Sequence, residues 1–175
     1  GTVSFLYKVL GYGTQQLSMR SKGEVLSLLG PIGNHFKLTP SRNRPLLIGG
    51  GVGIPPMVFI ADTLQQLNKK SDHQYLPFII MGSEVPFPFD PVKSKFPING
   101  LDAQINAAMP ILETWRFPNR LASKQGYAGS FNGYVTELAI IWLDSLSDEQ
   151  RQQVEIFSCG PHPMLEAVAA LAKTY

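Results

Sequence analysis

A glycine-rich turn is the first part of this sequence whose residue types and spacing point to chemistry. The segment GGGVGIPPM, at residues 49–57, lies where an apolar run ends and a helical pattern begins. At such a junction, backbone N–H groups and the positive end of the helix dipole can hold a nucleotide phosphate, and glycines let the pyrophosphate approach closely. Pro55 or Pro56 suits the first helical turn, where no N–H is required. The segment differs from G-x-G-x-x-G; it predicts a nucleotide site, with a tight turn that binds nothing as the alternative.

A second turn of the same kind is FSCGPHPML, at residues 157–165. In an open parallel sheet the ligand lies beyond the carboxyl ends of the strands, where the strand order reverses. If the order is 3-2-1-4, Gly49 to Gly53 would face Cys159 to Pro161 across one crevice. Taken alone, a residue such as Cys159 is more often a small buried core residue than a reactive group. His162 has no evident partner and is assigned no role.

Two further glycine turns lie nearer the start of the chain, GYGT at 11–14 and GPIGNHF at 30–36. Thr14 suits a helix N-cap and could equally bond a phosphate, whereas the Gly30 to Gly33 turn could be an ordinary turn of a barrel. Each turn alone is a weak signal. The order and spacing of all four turns are together specific.

The elements that would position these turns follow from hydrophobic periodicity. Short apolar runs at 45–50, 75–82, 119–123 and 154–160 predict strands. Helices are predicted from apolar residues at a spacing of 3.6 within 57–67, 135–146 and 165–172, and a fourth within 103–116, after a proline-rich surface insertion at 86–102. Because parallel strands need crossover connections, the alternation predicts an α/β fold, a Rossmann-like parallel sheet with helices on both faces.

The first forty residues follow a different pattern. Residues 3–10 and 24–30 predict strands bounded by glycine, 14–20 allow a two-turn helix, and 40–45 read as a linker. Two or three strands do not close a stable sheet, so this region is predicted to be the end of a β-domain that begins upstream. The predicted domains are 1–44 and 45–175.

Composition limits the classes of partner. The 175 residues carry a net charge of only +2 and no long basic run, so neither nucleic acid nor a membrane is expected as a partner. The single cysteine cannot form an internal disulfide or supply the four thiolates of an iron–sulfur cluster. Apolar runs fall short of the roughly 18 residues that span a bilayer. We therefore expect a cytoplasmic protein without an iron–sulfur cluster, whose partner is a small molecule or a protein.

The four turns in this order resemble the ferredoxin-NADP reductase superfamily, and most closely its dihydroorotate dehydrogenase electron-transfer subunits. The resemblance covers nearly the whole chain. It implies that residues 1–44 are the C-terminal part of an antiparallel, FAD-binding β-barrel and that 45–175 are an NAD(P)-binding domain. It also implies an oxidoreductase that passes a hydride between NAD(P)H and FAD. It also implies onward electron transfer to a protein acceptor or catalytic subunit.

Carried over by position, the resemblance implies a role for each turn. FAD phosphates would contact Gly13 and Thr14, and the turn at the domain junction would comprise Gly30, Pro31 and Gly33. The nucleotide pyrophosphate would be held by Gly50, Gly51, Val52, Gly53 and Pro55. The nicotinamide would be surrounded by Cys159, Gly160, Pro161 and Met164, with Cys159 as the catalytic residue, a wall beside the transferring carbon and not a nucleophile. The family's glycine loop and following helix would correspond to 129–138.

Three departures from the family pattern leave questions open. The segment that grips the flavin would lie before Gly1, and the cysteines of a [2Fe–2S] centre would lie after Tyr175. Ser123 and Lys124 stand where the NAD-using subunits have acidic residues, and they look more like the Ser-Arg pair that takes the 2′-phosphate of NADP. Both NAD and NADP therefore stay open. A nucleotide-binding or regulatory subunit that has lost flavin is the alternative function, and the N-terminal strands could pair with a second copy.

Overall fold

The computed structural model describes residues 2–175. In chain order its strands are β1 (Arg44–Gly50), β2 (Phe78–Gly82), β3 (Val92–Lys93), β4 (Ala107–Ala108), β5 (Asn119–Ala122) and β6 (Val154–Cys159). Its α-helices are α1 (Tyr12–Ser18), α2 (Ile54–Lys70), α3 (Pro110–Thr114), α4 (Val135–Asp144), α5 (Asp148–Gln152) and α6 (His162–Thr174). The four predicted strands and the four predicted helices of residues 45–175 are all present.

Four parallel strands form the main sheet in the order β5-β2-β1-β6. This is the third-second-first-fourth order of the predicted strands. Leu46 lies opposite Phe78 on one side of β1 and opposite Ile156 on the other. The predicted Rossmann-like parallel sheet is therefore confirmed.

The sheet carries a separate hydrophobic core on each face. Alternate residues of a strand point to opposite faces, so Leu47 packs with α2 and α3 while Leu46 and Ile48 pack with α4 and α6. All three are fully buried. Each such side chain stabilises the fold by about 1.5–3 kcal/mol relative to an exposed one. Helices on both faces follow from this alternation.

The insertion between β2 and β5 is anchored to the sheet by the buried side chain of Arg120. Its guanidinium donates to the carbonyl oxygens of Ile105 (2.8 Å), Asn119 (2.7 Å) and Phe96 (2.5 Å). Burial lowers the pKa of Arg120, and the charge of Glu113 opposes that effect. The insertion also contains the short antiparallel pair β3–β4. The helix predicted within 103–116 is the single short helix α3.

The chain divides into two compact units, Gly1–Lys37 and Leu38–Tyr175. Thr39 lies with the second unit, because its N–H and its hydroxyl both donate to Glu155, at 3.0 and 2.8 Å. Within 2–37 the predicted helix is present as α1, but the strands predicted at 3–10 and 24–30 are not formed. A strand requires a neighbour for its ladder hydrogen bonds, and residues 2–37 contain no strand that could serve as one. The assignment of 1–44 as a partial barrel stays a prediction.

No helix within residues 2–175 has both the length and the hydropathy needed to cross a bilayer. The same residues hold no group of three or more His, Cys, Asp or Glu side chains that could bind a metal ion.

Candidate nucleotide-binding site

The carboxyl ends of β1 and β6 meet at the point where the chain changes direction across the sheet. From β1 the chain proceeds outward to β2 and β5, and β6 then returns to the other side of β1. Gly49 and Cys159 are direct neighbours in this parallel pair. The turns at 49–57 and 157–165 therefore lie side by side, as predicted, at the switch point where open α/β sheets bind ligands.

Gly53 is buried in this arrangement and has no space for a side chain. A Cβ at Gly53 would overlap the carbonyl group of Cys159 and lie 2.7 Å from the backbone nitrogen of Gly160. Gly49 is also crowded, because its Cβ would lie 3.0 Å from the carbonyl oxygen of Gly53. These two glycines allow backbone segments of the protein to pack closely. The surroundings of Gly53 therefore do not support the expectation that this glycine keeps space free for a pyrophosphate.

Gly51 is the glycine of this loop that faces open space. Its φ is +54°, in the left-handed region that favours glycine, and a Cβ there would meet no atom within 4 Å. Gly51 to Gly53 form one turn of 3₁₀ helix, and the N–H of Ile54 donates to the carbonyl of Gly51. Neither Pro55 nor Pro56 has an N–H. Donors for a phosphate must therefore come from the residues before Pro55, and Pro55 itself can offer only van der Waals contact.

Met164 fills the space between two of the predicted glycines. A Cβ at Gly50 would lie 2.5 Å from the Met164 sulfur, and one at Gly160 would lie 2.5 Å from its terminal methyl group. Pro161 precedes α6 and would also touch such a Cβ at Gly50, at 3.2 Å. Cys159 is a free, half-buried thiol that packs against the core beneath α2. These residues form a continuous apolar surface between β1 and α6.

His162 is exposed and lies 3.3 Å from Glu166 on the next turn of α6. Its surroundings agree with the absence of an assigned role.

Ser123 and Lys124 lie at the carboxyl end of β5, two strands away from Gly51. Ser123 is buried, and its hydroxyl accepts the N–H of Gln125 at 3.2 Å. Lys124 is exposed and donates to the hydroxyl of Tyr134 at 3.2 Å, with its nitrogen 4.5 Å from the centre of the Tyr134 ring. The hydrogen bond to Tyr134 raises the pKa of Lys124. Lys124 is therefore a stable cation beside an aromatic face.

Tyr134, the partner of Lys124, was not singled out by the sequence analysis. It is 55% exposed and immediately precedes α4, at the end of the glycine loop 129–133. Its N–H donates to the carboxylate of Glu137 at 2.6 Å, which holds the start of α4 in place. The sequence signal that could have identified Tyr134 is an aromatic residue between a glycine loop and a helix.

The predicted flavin residues lie in the Gly1–Lys37 unit. Thr14 is the third residue of α1 and Gly11 is its N-cap, so the N-cap expectation for Thr14 is wrong. The Thr14 hydroxyl instead accepts the N–H groups of Leu10 and Gly11, at 3.0 and 3.2 Å. A Cβ at Gly13 would meet no atom within 4 Å. The other three predicted residues are exposed and lie outside helices and strands: Gly30, Pro31 and Gly33.

Comparisons with known proteins agree with the motif resemblance. No protein-family model matches the chain. A dihydroorotate dehydrogenase B (NAD(+)) electron transfer subunit of Listeria innocua is 31% identical over 179 residues, which cover 99% of this chain and 58% of the relative. The corresponding subunit of Bacillus caldolyticus is 30% identical over 173 residues, covering 97% of this chain and 54% of the relative. The chain thus spans somewhat more than half the length of these relatives.

A solved structure of an NADH-dependent reduced ferredoxin-NADP oxidoreductase, from work on flavin-based electron bifurcation, matches 95% of this chain and 50% of that one. The TM-score is 0.60 and the sequence identity 21%, so this likeness supports the fold alone. The resemblance derived from the four turns is confirmed.

Proposed function

We propose that this homologue of dihydroorotate dehydrogenase B electron transfer subunits is an oxidoreductase module that binds NAD(P)H at the carboxyl edge of its sheet. In the proposal the nucleotide transfers a hydride to FAD, and the electrons pass to a protein acceptor or catalytic subunit. Oxidoreductase electron transfer is the general activity that the relatives support. The nucleotide, the flavin and the partner are the proposed details.

The observation that carries the proposal is the open position at Gly51. A left-handed glycine with free space beside it lies at the start of the 17-residue helix α2, at the switch point of a parallel sheet. This combination fits a pyrophosphate, because the backbone can approach the phosphate and the helix dipole favours negative charge. Gly51, Val52 and the backbone before Pro55 would hold it.

The nicotinamide would lie on the surface formed by Gly50, Gly160 and Met164, next to Cys159. When bound, the nicotinamide and flavin supply the hydride chemistry themselves, and no protein acid or base is required. The protein's part is to orient the ring and exclude water. Cys159 is proposed as a wall of this surface and Pro161 as its rim. Gly13, Thr14, Gly30, Pro31 and Gly33 remain the proposed flavin contacts.

The adenosine end would lie near Lys124 and Tyr134. A Lys ammonium is a compact point charge suited to a 2′-phosphate, and an exposed aromatic ring offers a stacking face. Ser123 is buried, so only its hydroxyl group could contact the nucleotide. This pair favours NADPH.

A nucleotide-binding subunit without flavin is the second candidate function. The absence of strands in residues 2–37 is the observation that favours it. One absorbance spectrum of the full-length protein separates the two. A flavin band supports the oxidoreductase, whereas a colourless protein that still binds nucleotide supports the second candidate.

The decisive test of the nucleotide site is Gly51→Ala. Its Cβ would occupy the space assigned to the pyrophosphate, so we expect NADH and NADPH affinity, measured by calorimetry, to fall at least about tenfold, or 1.4 kcal/mol. The strained backbone should cost about 1–2 kcal/mol of stability.

Gly100→Ala is the matched control. Gly100 is also left-handed, at φ +78°, and the nearest atom to its Cβ would be at an ordinary 3.5 Å. It lies in the insertion, so a similar loss of stability with unchanged nucleotide affinity is expected. A folded Gly51→Ala protein that binds both nucleotides normally would refute the site.

A further inference from the structure

A second cavity opens at the other edge of the sheet, among the amino ends of the strands. Its volume is about 670 Å³, within the range of about 300–1,000 Å³ usual for ligand sites. It is lined by residues that precede or begin β1, β2 and β5 and by the last turns of α2 and α4. The proposed nucleotide site does not use any of these residues. We call this cavity the amino-edge groove.

The lining of the amino-edge groove is cationic and aromatic. Arg44, Lys69 and Arg116 contribute three positive charges, and no Asp or Glu lines it. The whole chain carries a net charge of only +2, so this is a local concentration. Trp115 and Trp142 also line the groove; Trp115 is half-buried, whereas Trp142 belongs to the core and is 7% exposed. Flat apolar surface beside several cations is the chemistry that receives an aromatic anion.

Arg44 has a buried donor that the protein does not satisfy. Its Nε is inaccessible to solvent and has no hydrogen-bond partner within residues 2–175. Arg120 provides the contrast, since three carbonyl oxygens surround its guanidinium. Buried polar groups nearly always have a partner, and an unpaired one costs stability. Arg44 nevertheless lines the groove, so its positive charge lies beside any ligand bound there.

Arg116 occupies a position where glycine is favoured. It follows α3 with φ +63°, the one positive φ among the non-glycine residues described. The N–H of Arg116 donates to Glu113 and that of Phe117 to Leu112, the two bonds of a Schellman C-terminus. Glycine would satisfy the same bonds without strain. The folding of this turn therefore does not account for an arginine at position 116. The Arg116 side chain lines the groove.

We propose that the amino-edge groove binds a small aromatic anion, a carboxylate or phosphate whose charge pairs with Arg44 and Arg116 and whose ring packs against Trp115. The carboxylate and phosphate share this chemistry. The site is separate from the nucleotide site and lies on the opposite edge of the sheet.

The two tryptophans provide the measurement. They are the only tryptophans in the chain and both line the groove, so intrinsic fluorescence reports its occupancy. The 175-residue chain would be titrated separately with benzoate, phenyl phosphate, inorganic phosphate and neutral benzamide. We expect a saturable change with benzoate or phenyl phosphate, and at least tenfold weaker binding of the other two. Benzoate and phenyl phosphate distinguish the carboxylate from the phosphate.

Arg116→Gly tests the site without endangering the fold. It removes strain, so thermal stability should rise while affinity for the aromatic anion falls at least tenfold. Arg44→Gln should weaken binding similarly, and Lys173→Gln, outside the groove, should not. Gly51→Ala should leave benzoate and phenyl phosphate binding intact. No saturable change with either aromatic anion, equal binding of benzamide, or unchanged affinity in Arg116→Gly would overturn the proposal.

Discussion

Gly53 and Gly51 lack a side chain for opposite reasons. Gly53 lies against the backbone of Cys159 and Gly160, where any side chain would displace the chain itself. Gly51 adopts a left-handed conformation beside open space. Gly53 lets the turn after β1 pack against the end of β6, and Gly51 faces the space of the proposed ligand. Only Gly51 can therefore report on nucleotide binding.

Gly53→Ala should lower the free energy of unfolding by about 3 kcal/mol, because overpacking against an immobile backbone is among the costlier core changes. Gly50→Ala is the matched comparison. Its Cβ would meet the flexible end of Met164, which can move aside, so the expected loss is about 1 kcal/mol. Urea denaturation followed by tryptophan fluorescence measures both. A larger loss for Gly50→Ala would contradict this account.

Lys124→Asp should lower NADPH affinity at least about tenfold, since a point-charge contact with a 2′-phosphate contributes roughly 1.5–3 kcal/mol, and leave NADH affinity nearly unchanged. The hydrogen bond to Tyr134 raises the pKa of Lys124, so its ammonium stays charged at and above neutral pH. Calorimetry with both nucleotides is the measurement. Lys93→Asp, an exposed site on β3, controls for net charge. Equal losses for NADH and NADPH would exclude the role assigned to Lys124.

At the scale of elements, a buried polar network ties the insertion to the sheet. Asn119 is fully buried at the start of β5, and its side-chain oxygen Oδ1 accepts the N–H of Met109 at 2.7 Å. Its amide nitrogen donates to Glu113 and to the carbonyl of Phe117, at 3.1 and 3.0 Å. Glu113 also accepts from the Ser94 hydroxyl at 2.8 Å. One side chain thus joins the insertion, α3 and β5.

Asn119→Ala should destabilise the protein by about 2–3 kcal/mol, because it leaves the Met109 N–H without its acceptor and removes one of the donors to Glu113. Chemical denaturation would show the loss. Asn132→Ala, at an exposed position in the glycine loop, should change stability by less than about 0.5 kcal/mol. Equal effects of the two substitutions would show that the network contributes little.

At the scale of the whole molecule, the two units differ in what they bury. In Leu38–Tyr175 two apolar cores enclose the sheet. In Gly1–Lys37 large apolar side chains are exposed, with Leu10 at 79%, Val25 at 95% and Leu29 at 90%. Exposed apolar surface of this extent favours association with further protein surface.

Hydrogen exchange on the 175-residue chain should therefore show rapid exchange at residues 3–10 and 24–30 and slow exchange in β1 and β2. Association of two copies through these segments would slow their exchange with increasing protein concentration. We expect FAD to bind this chain weakly. A monomer with those residues protected and FAD tightly bound at one per chain would contradict the prediction.

The sequence alone was enough to predict the β5-β2-β1-β6 sheet, its helices on both faces and the adjacency of the turns at 49–57 and 157–165. These follow from local signals, since apolar periodicity identifies elements and parallel connections restrict their order. The same rules did not anticipate the missing strands at 3–10 and 24–30, because a strand depends on a partner elsewhere in the chain.

Only the tertiary structure separated the roles of the glycines and revealed Tyr134 and the amino-edge groove. The sequence does not distinguish Gly51 from Gly53. In the structure, Gly53 adjoins the backbone at the end of β6, whereas Gly51 adjoins open space. Tyr134 meets Lys124 ten residues away, and the groove joins Arg44 to Arg116 across the sheet. Such proximities are set by packing, which local pattern and composition do not encode.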